Sequence, residues 1–251
     1  MTFSDSSRLA LIGSAFGAVL LSSPAGAQSL TGNVGSAAIN QGERAVESRI
    51  GFDSDGNAAF RFQVEYAFTD WYQLRVIGAF SRPDDGDWNY SATTLENWFQ
   101  WREEAEDASG FNGGVRLGYT FSDDDGPDEV ALRLTVTDNF ADGWEWRANL
   151  IGEIETGNGG ADGVFLQTRA QLSRSLGLSA FGSSEQRLGV ELFSEYGNSE
   201  DIPAFDEQAH QLGPVLKAEW DNGVYIQTGA RFGLTDASDD SSFRLSLGRE
   251  F

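Results

Sequence analysis

The sequence predicts an all-β protein: a transmembrane, antiparallel, up-and-down β-barrel of about 12 strands, which follows a cleaved signal peptide. Three observations predict this fold. Apolar and polar residues alternate with a period of two along one segment after another, the connections between segments alternate between short and long, and aromatic residues gather near segment ends. Helical spacing does not describe these segments, because a helix would separate residues that the alternation places on one face.

The alternation is clearest in the second predicted strand. One face carries large apolar side chains: Phe60, Phe62, Val64, Tyr66 and Phe68. The opposite face carries Arg61, Gln63 and Glu65. Twelve such segments are predicted to begin near Arg44, Asn57, Trp71, Trp88, Gly110, Asp128, Trp144, Gly163, Gln186, His210, Gly223 and Ser242. An even number places both ends of a barrel on one side of the membrane. Residues 178–186 could be either strand or turn.

The connections fall into two classes by their order along the chain. The odd connections, such as residues 123–129 and 198–209, are acidic, often long, and rich in glycine and proline. The even connections include tight turns at residues 69–70 and 221–222. Bacterial barrels have short periplasmic turns and longer outer loops. A soluble β-sandwich offers no reason for such an alternation.

Aromatic residues are predicted to form two girdles at the strand ends, since amphipathic rings prefer the headgroup level of a bilayer. The predicted periplasmic girdle contains Trp71, Trp98, Trp101 and Trp144 among others, and the outer girdle contains Phe52 and Trp88. The alternative is that these rings form the core of a soluble barrel. Their position near strand ends, away from strand centres, favours the girdles.

The first 27 residues read as a secretory signal peptide. Arg8 precedes a mostly apolar run over residues 9–21, and Ala25-Gly26-Ala27 forms a small-residue cleavage site. The run is too short to cross about 30 Å of hydrocarbon as a helix. We therefore predict a signal peptide over 1–27, a flexible N-terminal lead rich in glycine and serine over 28–43, and the barrel over 44–251.

Composition limits the function classes. The chain of 251 residues has a formal net charge of −22, which cleavage would leave unchanged, and contains no cysteine. Binding of nucleic acid through its phosphates needs basic clusters, so no nucleic acid partner is expected. The mean hydropathy of −0.34 suits a soluble protein. It suits a barrel equally well, because only every second residue of a barrel strand meets lipid.

If the apolar face meets lipid, the other face points into the barrel and carries charge. The candidates for this luminal face, and for selectivity, are Arg61, Arg75, Arg102, Arg116, Arg133, Arg147, Arg169, Arg231, Glu65, Glu153 and Glu191. Charges in a low-dielectric interior must pair or face water. Two interpretations stay open: a charged constriction that selects solutes, and a network of Arg–Glu pairs that fills the barrel.

No cofactor is expected, and the enzyme interpretation is weak. His210 is the single histidine, and no serine lies at the short spacing that a serine–histidine catalytic pair would need. The sequence contains neither the nucleophile-elbow motif G-x-S-x-G nor the zinc-binding motif H-E-x-x-H. Asp123, Asp124 and Asp125 are weak candidates for binding a hard cation such as Ca²⁺ or Mg²⁺. The alternative is that they are ordinary turn residues whose charges are solvated.

The end of the chain resembles that of bacterial outer-membrane β-barrel proteins. Phe243, Leu245, Leu247 and Phe251 share one face of the last strand, and Phe251 is terminal. In that family the ending is the signal that the barrel-assembly machinery reads. The resemblance implies the outer membrane of a Gram-negative bacterium, with its lipid and lipopolysaccharide as partners. Residues 213–216 and 232–237 are also similar to uncharacterised proteobacterial outer-membrane proteins grouped with transporters of the phenol-degradation MetA-pathway type.

Three functions follow from these expectations. The first is passive passage of small solutes through a porin-like or transporter-like channel. The alternative is a structural barrel with a plugged lumen, whose loops bind ions, lipid or a partner; divalent cations would be bound loosely. The third is an outer-membrane lipid enzyme.

Overall fold

The chain folds as a closed barrel of twelve strands. A computed structural model describes residues 30–102, 111–123, 126–140 and 143–251. The strands are β1 Arg44–Asp53, β2 Ala58–Ala67, β3 Tyr72–Arg82, β4 Asn89–Arg102, β5 Asn112–Ser122, β6 Asp128–Phe140, β7 Trp144–Thr156, β8 Phe165–Ser175, β9 Glu185–Asn198, β10 Ala209–Glu219, β11 Val224–Gly233 and β12 Ser241–Glu250. Each strand pairs antiparallel with the next, and β12 returns to β1. The predicted fold class, a transmembrane up-and-down barrel of about 12 strands, is confirmed.

The predicted strand starts lie within two residues of the observed ones. The segment left open, residues 178–186, is mostly turn: a 3-10 turn spans Ala180–Gly182, and β9 begins at Glu185. A second 3-10 turn, Phe205–Glu207, lies in the connection before β10. Among the described residues, no helix is long and apolar enough to cross a bilayer.

The two faces of the sheet differ in polarity as the alternation predicts. Large apolar side chains point outward and stay exposed, including Phe62, Val64, Leu132, Leu134 and Leu150. The alternate side chains point inward, are mostly polar, and are buried. An apolar outer surface with a polar interior is the arrangement of a barrel whose solvent is lipid.

The closing seam places the proposed assembly signal on the outer face. Phe243 lies opposite Phe52, and Leu245 lies opposite Ile50 in the register of β12 with β1. Phe243, Leu245, Leu247 and Phe251 are all exposed. The Phe251 amide donates to the Arg44 carbonyl at 2.8 Å, so the last residue still extends the ladder.

The residues before β1 depart from the sequence prediction. The sequence predicts a flexible lead over 28–43, but residues 30–40, hereafter the luminal segment, lie inside the barrel. Leu30, Thr31, Val34, Ala37 and Ile39 are buried. A segment rich in glycine and serine is expected to be mobile when its backbone groups can form hydrogen bonds only with water. Here the polar interior of the barrel supplies those partners, which local composition does not reveal.

Candidate functional site: the polar interior of the barrel

Ten of the eleven predicted luminal residues point inward in the structure. Six of them are buried: Arg75, Arg116, Arg169, Arg231, Glu153 and Glu191. Arg61, Glu65, Arg133 and Arg147 are less buried but alternate with outward neighbours, as Arg133 does between the exposed Leu132 and Leu134. Arg102 ends β4, and its side chain lies outside the described part of the chain. The interior wall is therefore charged around most of its circumference.

Ion pairs between neighbouring strands neutralise much of this charge. Arg75 Nε donates to Glu65 at 2.6 Å and its Nη1 donates to Glu96 at 2.9 Å. Arg116 lies 3.7 Å from the same Glu96 carboxylate. Arg244 and Glu191 pair at 3.0 Å, and neither side chain is exposed at all. Buried charges persist when they are paired and hydrogen-bonded, as these are.

The pairing is incomplete at two places in the wall. Arg49 lies directly opposite Arg61 in the register of β1 with β2, and Arg116 lies directly opposite Arg133 in that of β5 with β6. Within the described ranges, neither Arg61 nor Arg133 has a carboxylate within 4.0 Å. Like charges directly opposite one another destabilise a sheet. In each facing pair one arginine has a close carboxylate, Arg49 with Glu47 and Arg116 with Glu96, and the other arginine has none among the described residues.

Aromatic rings inside the barrel support several of these guanidinium groups. The Arg116 guanidinium lies 3.7 Å from the centre of the Trp98 ring, and that of Arg75 lies 5.5 Å from it. On the far wall, Arg231 and Arg169 lie 4.3 Å and 5.3 Å from the Phe193 ring. Cation–π contacts of this kind hold a cation without neutralising it.

The prediction that Trp98 belongs to the periplasmic girdle is wrong. Its side chain is 5% exposed and points inward. A signal was present in the sequence, since Trp98 shares its parity with Glu96, and alternation places both on the same face. Proximity to a strand end outweighed parity in the prediction, and parity decides which face a strand residue occupies.

Arginines of four strands bind the carbonyl oxygens of the luminal segment. Arg116 Nη2 donates to the Ser36 carbonyl at 2.9 Å. Arg49 and Arg231 donate to the carbonyls of Thr31 and Leu30, each at 3.3 Å. Arg244 Nη1 donates to the carbonyl of Gly32. Four backbone acceptors are thereby satisfied by charged donors, the stronger class of hydrogen bond.

The amide groups of the same segment find acceptors on three further strands. Gly35 donates to Asn149 Oδ1 at 2.9 Å, and Asn149 Nδ2 returns a bond to the Gly35 carbonyl at 3.1 Å. Ala37 donates to Thr137 Oγ1 at 3.0 Å, and Ile39 donates to Gln100 Oε1 at 2.8 Å. Sequence reasoning missed Asn149, Thr137 and Gln100 because neutral polar residues are unremarkable on a luminal face. Their role is visible once the segment lies among them.

The outer rim shows no arrangement suited to catalysis among the described residues. The His210 ring stacks on Phe205 at 4.6 Å and bonds Gln208 at 3.2 Å. The nearby hydroxyls of Thr235 and Ser238 bond the His210 backbone instead of its ring. A nucleophile and its base should be within hydrogen-bond reach of each other.

The acidic loops contain the sequence-predicted candidates for a hard cation, Asp123, Asp124 and Asp125. Within the described ranges, no three acidic or histidine groups converge as metal ligands would. Asp124 and Asp125 lie outside those ranges, so the Asp123–Asp125 candidate stays a prediction. Asp239, before β12, is half-buried; burial, and then the negative charges of Asp53 and Asp55, raise the pKa of its carboxyl.

No family model matches the chain, and no curated protein does. Solved structures do match it. The KdgM porin in complex with disordered oligogalacturonate superimposes with a TM-score of 0.59 at 10% identity, over 82% of this chain and 99% of the porin. The COG4313 outer membrane channel from Pseudomonas putida F1 gives 0.58 at 12% identity, over 85% and 97%. The NanC porin gives 0.51 at 10%, over 81% and 98%. At such identities the likeness shows a shared fold, that of outer-membrane barrels.

Proposed function

We propose that this protein is an outer-membrane channel for the passive passage of small solutes. The observation that carries the proposal is the interior wall, where arginine faces arginine at Arg49–Arg61 and Arg116–Arg133. A barrel selected for stability alone would place carboxylates or neutral groups there. Arg61 and Arg133 have no close carboxylate among the described residues, and rings of charge of one sign on a pore wall favour ions of the opposite sign.

The arginines without a close carboxylate are the proposed selectivity residues. Arg61 and Arg133 belong to this class, and Arg169 bonds only the neutral Gln167 among the described residues. The other charged residues would shape the lumen through their ion pairs and hydrogen bonds; they are Arg75, Arg147, Glu65, Glu153 and Glu191. Arg102 remains a candidate by its parity in β4. The net field should be modest, since glutamates offset many of the arginines.

The fold supports this proposal. Two of the similar structures are porins and a third is an outer membrane channel. One of those porins was solved with oligogalacturonate. For the present chain, the proposal extends only to small solutes as a class. The resemblance of its last hairpin to phenol-degradation transporters stays a prediction.

The location and the partners follow from the same proposal. The signal peptide would direct export, and cleavage after Ala27 would release the mature chain. Phe243, Leu245, Leu247 and Phe251 would present the assembly signal, and lipid and lipopolysaccharide would cover the apolar outer face. Divalent cations would bridge the acidic outer loops to lipid phosphates.

One observation favours a second candidate, a structural barrel with a plugged lumen. The luminal segment lies inside the barrel, and polar groups of seven strands bind its backbone. A permanently seated segment would leave no path for solutes.

Conductance in planar bilayers separates the two candidates. The purified, folded barrel should show discrete channel events of small conductance if solutes pass. The channel proposal would be contradicted if no channel events occurred at any salt concentration, even after the luminal segment is deleted. A lipase assay on mixed micelles should show no hydrolysis; hydrolysis that depends on His210 would favour the enzyme alternative.

A further inference from the structure

The luminal segment is recognised almost entirely through its backbone. Its residues are small over Gly32–Ala38, with Val34 the largest side chain that is buried there. Four guanidinium groups bind its carbonyls, and three neutral side chains bind its amides. No charged side chain of the segment itself enters the interior, because residues 30–40 contain none. It therefore occupies the basic wall as a neutral ligand.

Close packing limits what the segment can carry. A Cβ atom on Gly35 would lie 2.5 Å from Arg116 Nη2 and 2.9 Å from its Cζ. Arg116 cannot simply swing away, since it donates to Ser36 and stacks on Trp98. A larger residue at position 35 would therefore break the contacts of Arg116 with Ser36 and Trp98. The fit between segment and wall is thus specific, although it is made by backbone.

The segment is tethered at one end of the barrel by a turn that can serve as a hinge. Glu43 donates to the Asn40 carbonyl at 3.1 Å, and Gly42 donates to the Ala67 carbonyl at 2.9 Å. Gly42 has a φ of +82° with open space around it, and Asn40 and Gln41 are exposed. Rotation here could carry residues 30–40 out of the lumen without breaking the ladder of β1.

We propose that residues 30–40 are an autoinhibitory segment, which closes the barrel in this structure and opens a conducting path when it leaves the interior. The inference rests on the proposed channel function. Exit would expose Arg49, Arg116, Arg231 and Arg244 to the lumen, in addition to Arg61 and Arg133. Because the segment is neutral, its exit leaves the charge of the wall unchanged and exposes these guanidinium groups to the water of the lumen.

A reversible lock tests the proposal. The double variant Ala37→Cys/Thr137→Cys places two thiols where the Ala37 amide now bonds the Thr137 hydroxyl, and the wild type has no cysteine. Under reducing conditions, planar-bilayer recordings of this variant should show openings at least as frequent as in wild type, because the Ala37–Thr137 hydrogen bond is lost. After mild oxidation, openings should fall at least tenfold, and reduction should restore them. Equal conductance in both redox states, with the disulfide shown to have formed, would overturn the proposal.

A point variant tests the opposite direction. Gly35→Val should raise the fraction of time open severalfold, because the valine crowds Arg116. Ala38→Val is the matched control, since Ala38 is exposed, and it should behave as wild type. Both variants should fold, as judged by heat-modifiable migration on gels. A Gly35→Val protein that opens no more often than Ala38→Val contradicts the proposal.

Thiol labelling separates failure of this inference from failure of the channel function. Ala37 is fully buried, so the thiol of an Ala37→Cys variant should react with an impermeant reagent only as the segment leaves the folded barrel. Deletion of residues 30–40 should give steady conductance. If the deletion variant conducts and the thiol at position 37 never reacts, the segment is a fixed plug and the inference fails. If that thiol reacts and the deletion variant never conducts, the channel function fails.

Discussion

At the scale of single residues, the pair Arg244–Glu191 is the most deeply buried ion pair in the described interior. Both side chains are inaccessible and lie 3.0 Å apart. Removing one member of a buried pair leaves the other charge uncompensated, which costs about 3–5 kcal/mol. We expect Glu191→Gln to lower the free energy of unfolding by that amount. Urea titration of the barrel refolded into lipid vesicles would measure it.

A second pair supplies the control for this measurement. Lys217 and Glu219 lie 2.8 Å apart, but their side chains are 26% and 31% exposed. Partly solvated pairs are worth about 0–1 kcal/mol. Glu219→Gln should therefore change the free energy of unfolding little. Equal losses for Glu191→Gln and Glu219→Gln would mean that water reaches Arg244 in the folded barrel.

At the scale of the strand, β2 allows a direct comparison of the two faces. Val64 is 41% exposed on the outer face, while Gln63 is 3% exposed on the inner face and lies opposite Glu47. An arginine on the lipid face near the bilayer midplane costs about 2–4 kcal/mol. An arginine at position 63 faces Glu47, which already binds Arg49 and Tyr225, so it shares that carboxylate and avoids hydrocarbon. Folding titrations into vesicles should show a larger loss for Val64→Arg than for Gln63→Arg; the reverse order would mean that the faces are misassigned.

Strands such as β2 could be predicted from sequence because the period of two is local. Each strand carries its own alternation, and the turn residues mark its ends, so the observed starts fall close to the predicted ones. The inward face of Arg61, Arg133 and their neighbours follows from the same parity. Residues 178–186 are ambiguous from sequence because a turn with exposed apolar side chains, Leu178 and Phe181, imitates a short apolar strand.

The luminal segment could not be predicted in this way. It has no alternation of its own, and its partners lie on strands up to 212 residues away, as with Gly32 and Arg244. The wall residues that hold it, such as Asn149 and Thr137, look like any other polar residue facing water. Placing it requires the closed barrel first, because closure brings seven strands around one backbone.

At the scale of the whole molecule, charge is segregated by location. The formal net charge is −22, yet the interior wall holds arginines in excess of their close carboxylates at two levels. Acidic residues lie in the connections at one end of the barrel, where the charges of Asp53 and Asp55 add to burial in raising the pKa of Asp239. An anion would be repelled at the mouth and attracted inside. These opposing fields should give weak selectivity at high salt, since the Debye length is about 3 Å at 1 M.

This segregation leads to a prediction about ion selectivity. Arg133 points inward and lacks a close carboxylate among the described residues, so Arg133→Gln should shift the reversal potential of open channels toward cations. The shift should grow as salt is lowered, since the Debye length reaches about 30 Å at 0.01 M. Arg174→Gln removes the same charge from the outer face, where Arg174 lies beside Trp144, and should leave the potential unchanged. Recordings in a salt gradient, made on the Gly35→Val background so that openings are frequent, compare the two. Identical shifts would mean that the surface charge sets selectivity, and that the lumen wall does not.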